Sequence, residues 1–314
     1  MTSSERAVRK ILKECLAVKK NESIIILSEH NNHKIGEAFW QAIQKISKFS
    51  FWTQFLKKGN GSPLHASLMS SCLKCNIVII ISSQILQAES IQEVLRVGTR
   101  ILGFQPAFYQ QLQRTPATNF KMVAEKSRKL ADVFKIGKKL RLISPSGTDA
   151  IFPIAKMKTH ADTGLVHNAS EFAWLPSGEA DIFFKKAPVE GRVVLDGLLG
   201  RKKSSEKIQI NFSRGHITQI KGGSEAEILR KNLRKFGREG RSIFKLGIGT
   251  NHQVRFGQSA HEDAKTYGLV HLGFGLGESW PIGGKLISPV KGYLSHSTIE
   301  IDGKVILKEG KIVI

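Results

Sequence analysis

Two short runs, Ile24-Ile-Ile-Leu27 and Ile77-Val-Ile-Ile-Ile81, constrain the fold of this chain more than any other feature. Both are rich in β-branched residues, and neither alternates with polar ones. A strand built from either must therefore be buried on both faces, as happens in a parallel sheet covered by helices. Between the runs, Ile35, Phe39, Ala42, Ile43 and Ile46 recur at helical spacing over residues 33–47. Residues 49–55 read as a strand. Pro63 opens a short helix reaching Lys74, residues 85–97 read as a helix, and residues 99–103 as a further strand. This alternation predicts a parallel sheet with helices on its faces. A polar helix over residues 119–136 closes the unit.

From Leu140 the texture changes to short strands punctuated by glycine: residues 140–144, 181–185, 192–195, 208–212 and 216–220. A helix follows from Ser224 to about Lys235, then strands near 268–274, 298–302 and 304–307. The expected architecture is an α/β N-terminal domain with a parallel sheet, residues 1–137, followed by a mixed, β-rich α+β domain, residues 138–314.

The formal net charge is +22, and the excess is spread through both halves of the chain rather than gathered in a tail. Such a surface favours acidic partners through an attraction that salt weakens. No apolar run reaches the roughly 18–20 residues of a membrane span, so no membrane association is expected. The first residues lack the charged-then-apolar layout of a signal peptide. Three cysteines make no disulfide framework, which points to a reducing cytoplasm. Cys72 and Cys75 have redox-motif spacing but fall at the end of a predicted helix. A reactive thiol needs the start of one, so they read as structural.

The densest motifs lie between Phe244 and Gly303: Lys245-Leu-Gly-Ile-Gly-Thr-Asn251, His261-Glu-Asp-Ala-Lys-Thr-Tyr-Gly-Leu-Val-His271, Gly283-Gly284 and Ile301-Asp-Gly-Lys304. Upstream stand Ser144-Pro-Ser-Gly-Thr-Asp149, Leu175-Pro-Ser-Gly-Glu179 and Gly215-His-Ile-Thr-Gln-Ile-Lys-Gly-Gly223. In this order they resemble the aminopeptidase T-like superfamily, which includes thermophilic-type metalloaminopeptidases and 2,5-dihydroxypyridine dioxygenases.

The resemblance implies a metal held by carboxylates and histidines. At positions where the family has donors this chain has Lys245, Ala264, Pro289 and Lys291, while His271 is retained and Glu262 and Asp263 stand beside Ala264. A divalent ion needs about three lone-pair donors; proline and alanine offer none, and a protonated lysine has no lone pair. The expectation is thus a pseudo-enzyme with its metal site lost and no cofactor. Its groove, formed by Lys245, His271, Lys291, Glu262 and Asn251, would recognise an acidic peptide or small molecule, for example as an accessory protein in modified-peptide biosynthesis. One alternative is an active metalloaminopeptidase holding one divalent metal on a rearranged set, His261, Glu262 and His271, with His296 or His252 as a further arm. The other is a basic nucleic-acid-binding protein. The resemblance also implies a homodimer formed through the C-terminal domain.

Arg230, Lys231, Arg234, Lys235, Arg238 and Arg241 form a positive face on and after one helix. It suits phosphates or an acidic peptide, but only Phe236 is available for base stacking. Gly247-Ile-Gly249 lacks the residues of a nucleotide-binding loop.

Overall fold

The structure is a computed structural model. It describes residues 2–55, 64–82, 88–104, 112–184, 188–201, 206–237, 240–275 and 290–314. Two compact units emerge. The first takes the chain up to Lys121 together with Gly164–Ser177, and the second takes Met122–Thr163 and the remainder of the described chain from Gly178.

In the first unit the buried runs do what their composition demands. Strands Ile24–Glu29 and Ile77–Ile81 are buried at every position and pair in parallel at the centre of a five-stranded sheet. Ser50–Phe55 flanks one side, Arg100–Phe104 the other, and Phe172–Leu175 joins beyond it, all parallel. Period-two alternation divides the side chains. Ile24, Ile26, Ile77 and Ile79 pack with Ile35, Phe39 and Ile43 of the helix His33–Gln44 on one face. Ile25, Leu27, Val78 and Ile80 pack with Cys72, Ile91 and Val94 on the other. The sequence reading places no helix before residue 33, yet Ser3–Lys10 is one. Thr2 and Glu5 close a reciprocal capping box at its start, satisfying two N–H groups that a helix end leaves open. Cys15, Cys72 and Cys75 are buried free thiols, and burial pushes Cys72 up to about 12, which disfavours a reactive thiolate.

The second unit holds the helix Phe120–Ile136 over most of its length and two antiparallel sheets. One is eight-stranded. The other has six strands in the order Gly197–Leu198, Val290–Leu294, Val270–Phe274, Ile243–Gly249, Glu179–Phe183 and Lys158–Asp162. Leu140, Leu142, Ala150, Phe152, Val193 and Ile210 of the first sheet share a core with Ala180, Ile182, Leu246, Ile248, Val270 and Leu272 of the second. The expected α/β unit with a parallel sheet and a β-rich second unit are both present. Strands Thr148–Pro153, Lys158–Asp162, Ile243–Gly249 and Val290–Leu294 go beyond the sequence reading. Among the described residues no helix is long and apolar enough to cross a membrane.

Candidate active site

The same period-two rule that sends Ala180, Ile182, Leu246, Ile248, Val270 and Leu272 into the core sends their neighbours to the opposite face of the six-stranded sheet. Those neighbours are Glu179, Asp181, Lys245, Gly247, His271 and Gly273. Register brings them together: Gly247 pairs with Asp181 on one side and His271 on the other, Asp162 pairs with Glu179, and Gly273 pairs with Lys291. Glycine at 247 is a spatial requirement. A Cβ there would lie 2.4 Å from both Asp181 Oδ1 and His271 Nε2. Gly178, which aims Glu179 into the cluster, has φ +118°, and a Cβ on it would come within 2.8 Å of the Asn251 Cβ.

Charge fills the space these glycines leave. Glu179 Oε1 accepts from Lys245 Nζ at 2.9 Å and lies 2.8 Å from Lys265 Nζ. Its Oε2 is 2.9 Å from His271 Nε2. Lys245 Nζ also lies 2.9 Å from Asp181 Oδ1, and Lys265 Nζ is 2.6 Å from Asp162 Oδ2. Burial alone would raise the Glu179 carboxyl, but Lys245, Lys265 and the His271 bond hold it well below the usual carboxylate range. Burial works against both ammonium groups, yet the surrounding carboxylates keep Lys245 and Lys265 above the ordinary lysine value. Lys291 differs. Burial, then Lys245, bring it down to about 8, and among the described residues it has no carboxylate at ion-pair distance.

His271 is fully buried, and burial lowers its pKa despite the Glu179 bond. Burial therefore favours the neutral ring. With Glu179 ionised, Nε2–H is the donor and Nδ1 keeps the lone pair. Among the described residues Nδ1 is buried without a partner. Glu179, Asp181 and His271 each offer a ligand atom, all within 4.8 Å of one another. Two carboxylates and a neutral imidazole fit a divalent cation in kind, once the ring proton sits on Nδ1 and Nε2, the nitrogen facing Glu179, offers its lone pair. The expectations of a lost metal site and of no cofactor are corrected by this cluster. Glu179 closes the Leu-Pro-Ser-Gly-Glu motif and Asp181 follows two residues later on the same face; that spacing was the available signal, and neither was counted as a donor.

Of the residues expected at the site, Lys245, His271 and Lys291 come to this face, and Asn251 and Glu262 have other tasks. Asn251 is buried, and its Oδ1 accepts the Gln253 N–H at 2.9 Å. Glu262 lies on the short helix Ala260–Asp263 and accepts the Arg255 N–H at 2.9 Å. The rearranged set of His261, Glu262 and His271 does not assemble; His271 instead joins Glu179 and Asp181. His252 is exposed and stacks on Tyr267 at 3.7 Å, and His296 is exposed with φ +51°. Neither enters the cluster. Ala264 packs with Leu199, Leu269 and Tyr293. Gly283, Gly284 and Pro289 lie outside the described residues. On the basic face, Arg230, Arg234 and Arg241 line an open cleft of about 200 Å³, with Arg230 tied to Glu227 at 2.8 Å.

The motifs that resemble the aminopeptidase T-like superfamily are joined by a family match over most of the chain, and the chain is a member of that superfamily. Within it, the chain belongs to the family described as NicX, 2,5-dihydroxypyridine 5,6-dioxygenase, which matches residues 4–281. A 2,5-dihydroxypyridine 5,6-dioxygenase of Pseudomonas putida is 26% identical over 206 residues, covering 63% of this chain and 50% of that relative. The match therefore spans half the length of the curated relative. A solved 2,5-dihydroxypyridine dioxygenase structure from P. putida KT2440 superimposes with a TM-score of 0.82 at 20% identity, covering 100% of this chain and 98% of that one. Wild-type AmpT from Thermus thermophilus superimposes with a TM-score of 0.68 at 12% identity, covering 99% of each chain.

Membership in a family of enzymes overturns the reading of this chain as a non-catalytic binding protein and pseudo-enzyme. The replacements at Lys245, Ala264 and Lys291 stand, but Lys245 faces two carboxylates, Glu179 and Asp181, that the motif positions do not include.

Proposed function

We propose that this chain is a metal-dependent enzyme that cleaves a small hydroxylated nitrogen heterocycle, with 2,5-dihydroxypyridine as the first candidate substrate. On this reading the C5–C6 ring bond breaks and both atoms of dioxygen enter the product. The observation that carries it is the buried Glu179–Asp181–His271 cluster in a chain whose family match runs through residues 4–281. Those three residues would hold the metal, and ferrous iron bound there supplies activation of dioxygen. The protein's own groups do the rest. The Glu179 bond to Nε2 holds the His271 ring facing the two carboxylates in the ion-free chain. Lys265 balances the Glu179 charge directly at 2.8 Å while also pairing with Asp162. Lys291, a cation without its own carboxylate among the described residues, is placed to hold an anionic ring oxygen of the substrate.

The test is anaerobic reconstitution with ferrous iron, followed by addition of 2,5-dihydroxypyridine and oxygen. Oxygen uptake equal to substrate consumed, with loss of the ring absorbance, is expected. No uptake with iron or manganese overturns the reading.

One observation favours a second reading. The donors are one histidine and two carboxylates, whereas non-haem iron oxygenases use two histidines and one carboxylate. The carboxylate-rich set and the fold shared with AmpT support a metalloaminopeptidase. Release of amino acids from aminoacyl amides with zinc, cobalt or manganese, without oxygen uptake, would select it.

A further inference from the structure

Lys245 is the member of the cluster that the proposed reaction does not use. Its Nζ stands 2.9 Å from Glu179 Oε1 and 2.9 Å from Asp181 Oδ1, so one ammonium bridges the two carboxylates. The flanking residues give it this place: Gly273, its partner on one side, has no side chain, and Gly247, two residues on, leaves the space between Asp181 and His271 open. Lys265 is different. It reaches Glu179 and Asp162 and does not bridge Glu179 to Asp181.

We infer that Lys245 is an internal stand-in for the ion: its ammonium holds Glu179 and Asp181 together in the ion-free chain and releases both when a divalent cation takes the donors. The inference rests on the metal-dependent reading above and adds to it a residue that sets how tightly the ion is held. An ammonium left between the carboxylates would repel a dication at short range in a poorly screened site. Glu179 and Asp181 also cannot give the same lone pairs to both cations. Binding is therefore an exchange, and the affinity of the wild-type chain for an ion is reduced by the work of displacing the lysine.

Calorimetric titration with Mn²⁺ of the wild type, Lys245→Met and Lys265→Met tests this. Lys245→Met should bind at least 10-fold tighter than the wild type, whereas Lys265→Met should bind no tighter. Equal or weaker binding by Lys245→Met overturns the inference. Should that variant fail to fold, the wild type decides alone. With ¹⁵N-labelled lysine, the Nζ resonance of Lys245 should shift on addition of Zn²⁺, a diamagnetic ion, and zinc bound with that resonance unmoved overturns the inference. That last result leaves the metal-dependent reading standing. Tighter binding by Lys245→Met without any oxygen uptake supports the exchange and removes only the proposed reaction. No ion bound by the wild type or by either variant overturns both.

Discussion

The Lys265 ammonium lies 2.6 Å from Asp162 Oδ2, tying the turn after the short helix Ala260–Asp263 to the outermost strand of the six-stranded sheet. Both side chains are buried. Taking one charge away leaves the other without compensation, which costs roughly 3–5 kcal/mol. Lys265→Met should lower stability to urea by about that amount. Adding Asp162→Asn to it should recover part of the loss, because the stranded carboxylate is gone. Independent, additive losses in the two variants would show that the pair does not interact energetically.

His271 is the nitrogen donor of the cluster. His271→Ala in protein expressed with added metal should reduce bound iron or manganese per chain well below the wild-type ratio, as read by elemental analysis. Undiminished metal in the variant would move the ion away from Glu179 and Asp181.

Gly247→Ala adds one methyl group where the nearest atoms are 2.4 Å away on Asp181 and His271. Overpacking of this kind costs about 1–3 kcal/mol, and here it must also push the donors apart. Both a lower melting temperature and weaker Mn²⁺ binding are expected. Gly257→Ala, at a position with nothing within 4 Å of a Cβ, controls for the added methyl group, although its φ of +88° carries some backbone strain of its own.

Asp196 accepts from Lys207 at 2.6 Å, from the Ser295 N–H at 2.7 Å, from the Ser295 hydroxyl and from Ser146. Burial pushes its carboxyl up, but these bonds together bring it below the ordinary carboxylate value. A folded pKa below the unfolded one means stability that is complete above the unfolded value. It is lost as pH falls through the folded one. The wild type should therefore lose this contribution only below the normal aspartate range. Asp196→Asn should be weaker by about 1.5–3 kcal/mol at neutral pH, less whatever the half-exposed Lys207 fails to contribute through solvent screening. The difference between the two proteins should shrink on acidification. A gap independent of pH would assign the effect to packing.

Much of the fold was legible because burial on both faces leaves a compositional mark. Ile24–Glu29 and Ile77–Ile81 could be assigned from their residues alone. The strand Ile243–Gly249 could not, because its site face reads Lys245, Gly247, Gly249 and resembles a glycine loop. The donors were harder for a related reason. His271 was visible through its motif. A protonated Lys245 offers no lone pair, but whether a lysine removes a site or balances one depends on what lies opposite it. Here that is Glu179 and Asp181 on a strand more than 60 residues upstream. Sequence spacing says nothing about such pairing, which is set by register between strands.

The fifth strand of the first unit, Phe172–Leu175, pairs with Arg100–Phe104 after the chain has passed through Met122–Thr163 of the second. A ribosome building this protein therefore makes four strands of the parallel sheet early and withholds the last. Until Leu175 emerges, Arg100–Phe104 presents an open row of backbone donors and acceptors on a strand that is buried at all five positions when finished. Such an edge is a template for pairing with a neighbouring chain. The nascent protein is thus open to such pairing between the release of Phe104 and that of Leu175, and a pause in translation within that interval should lower the yield of folded protein.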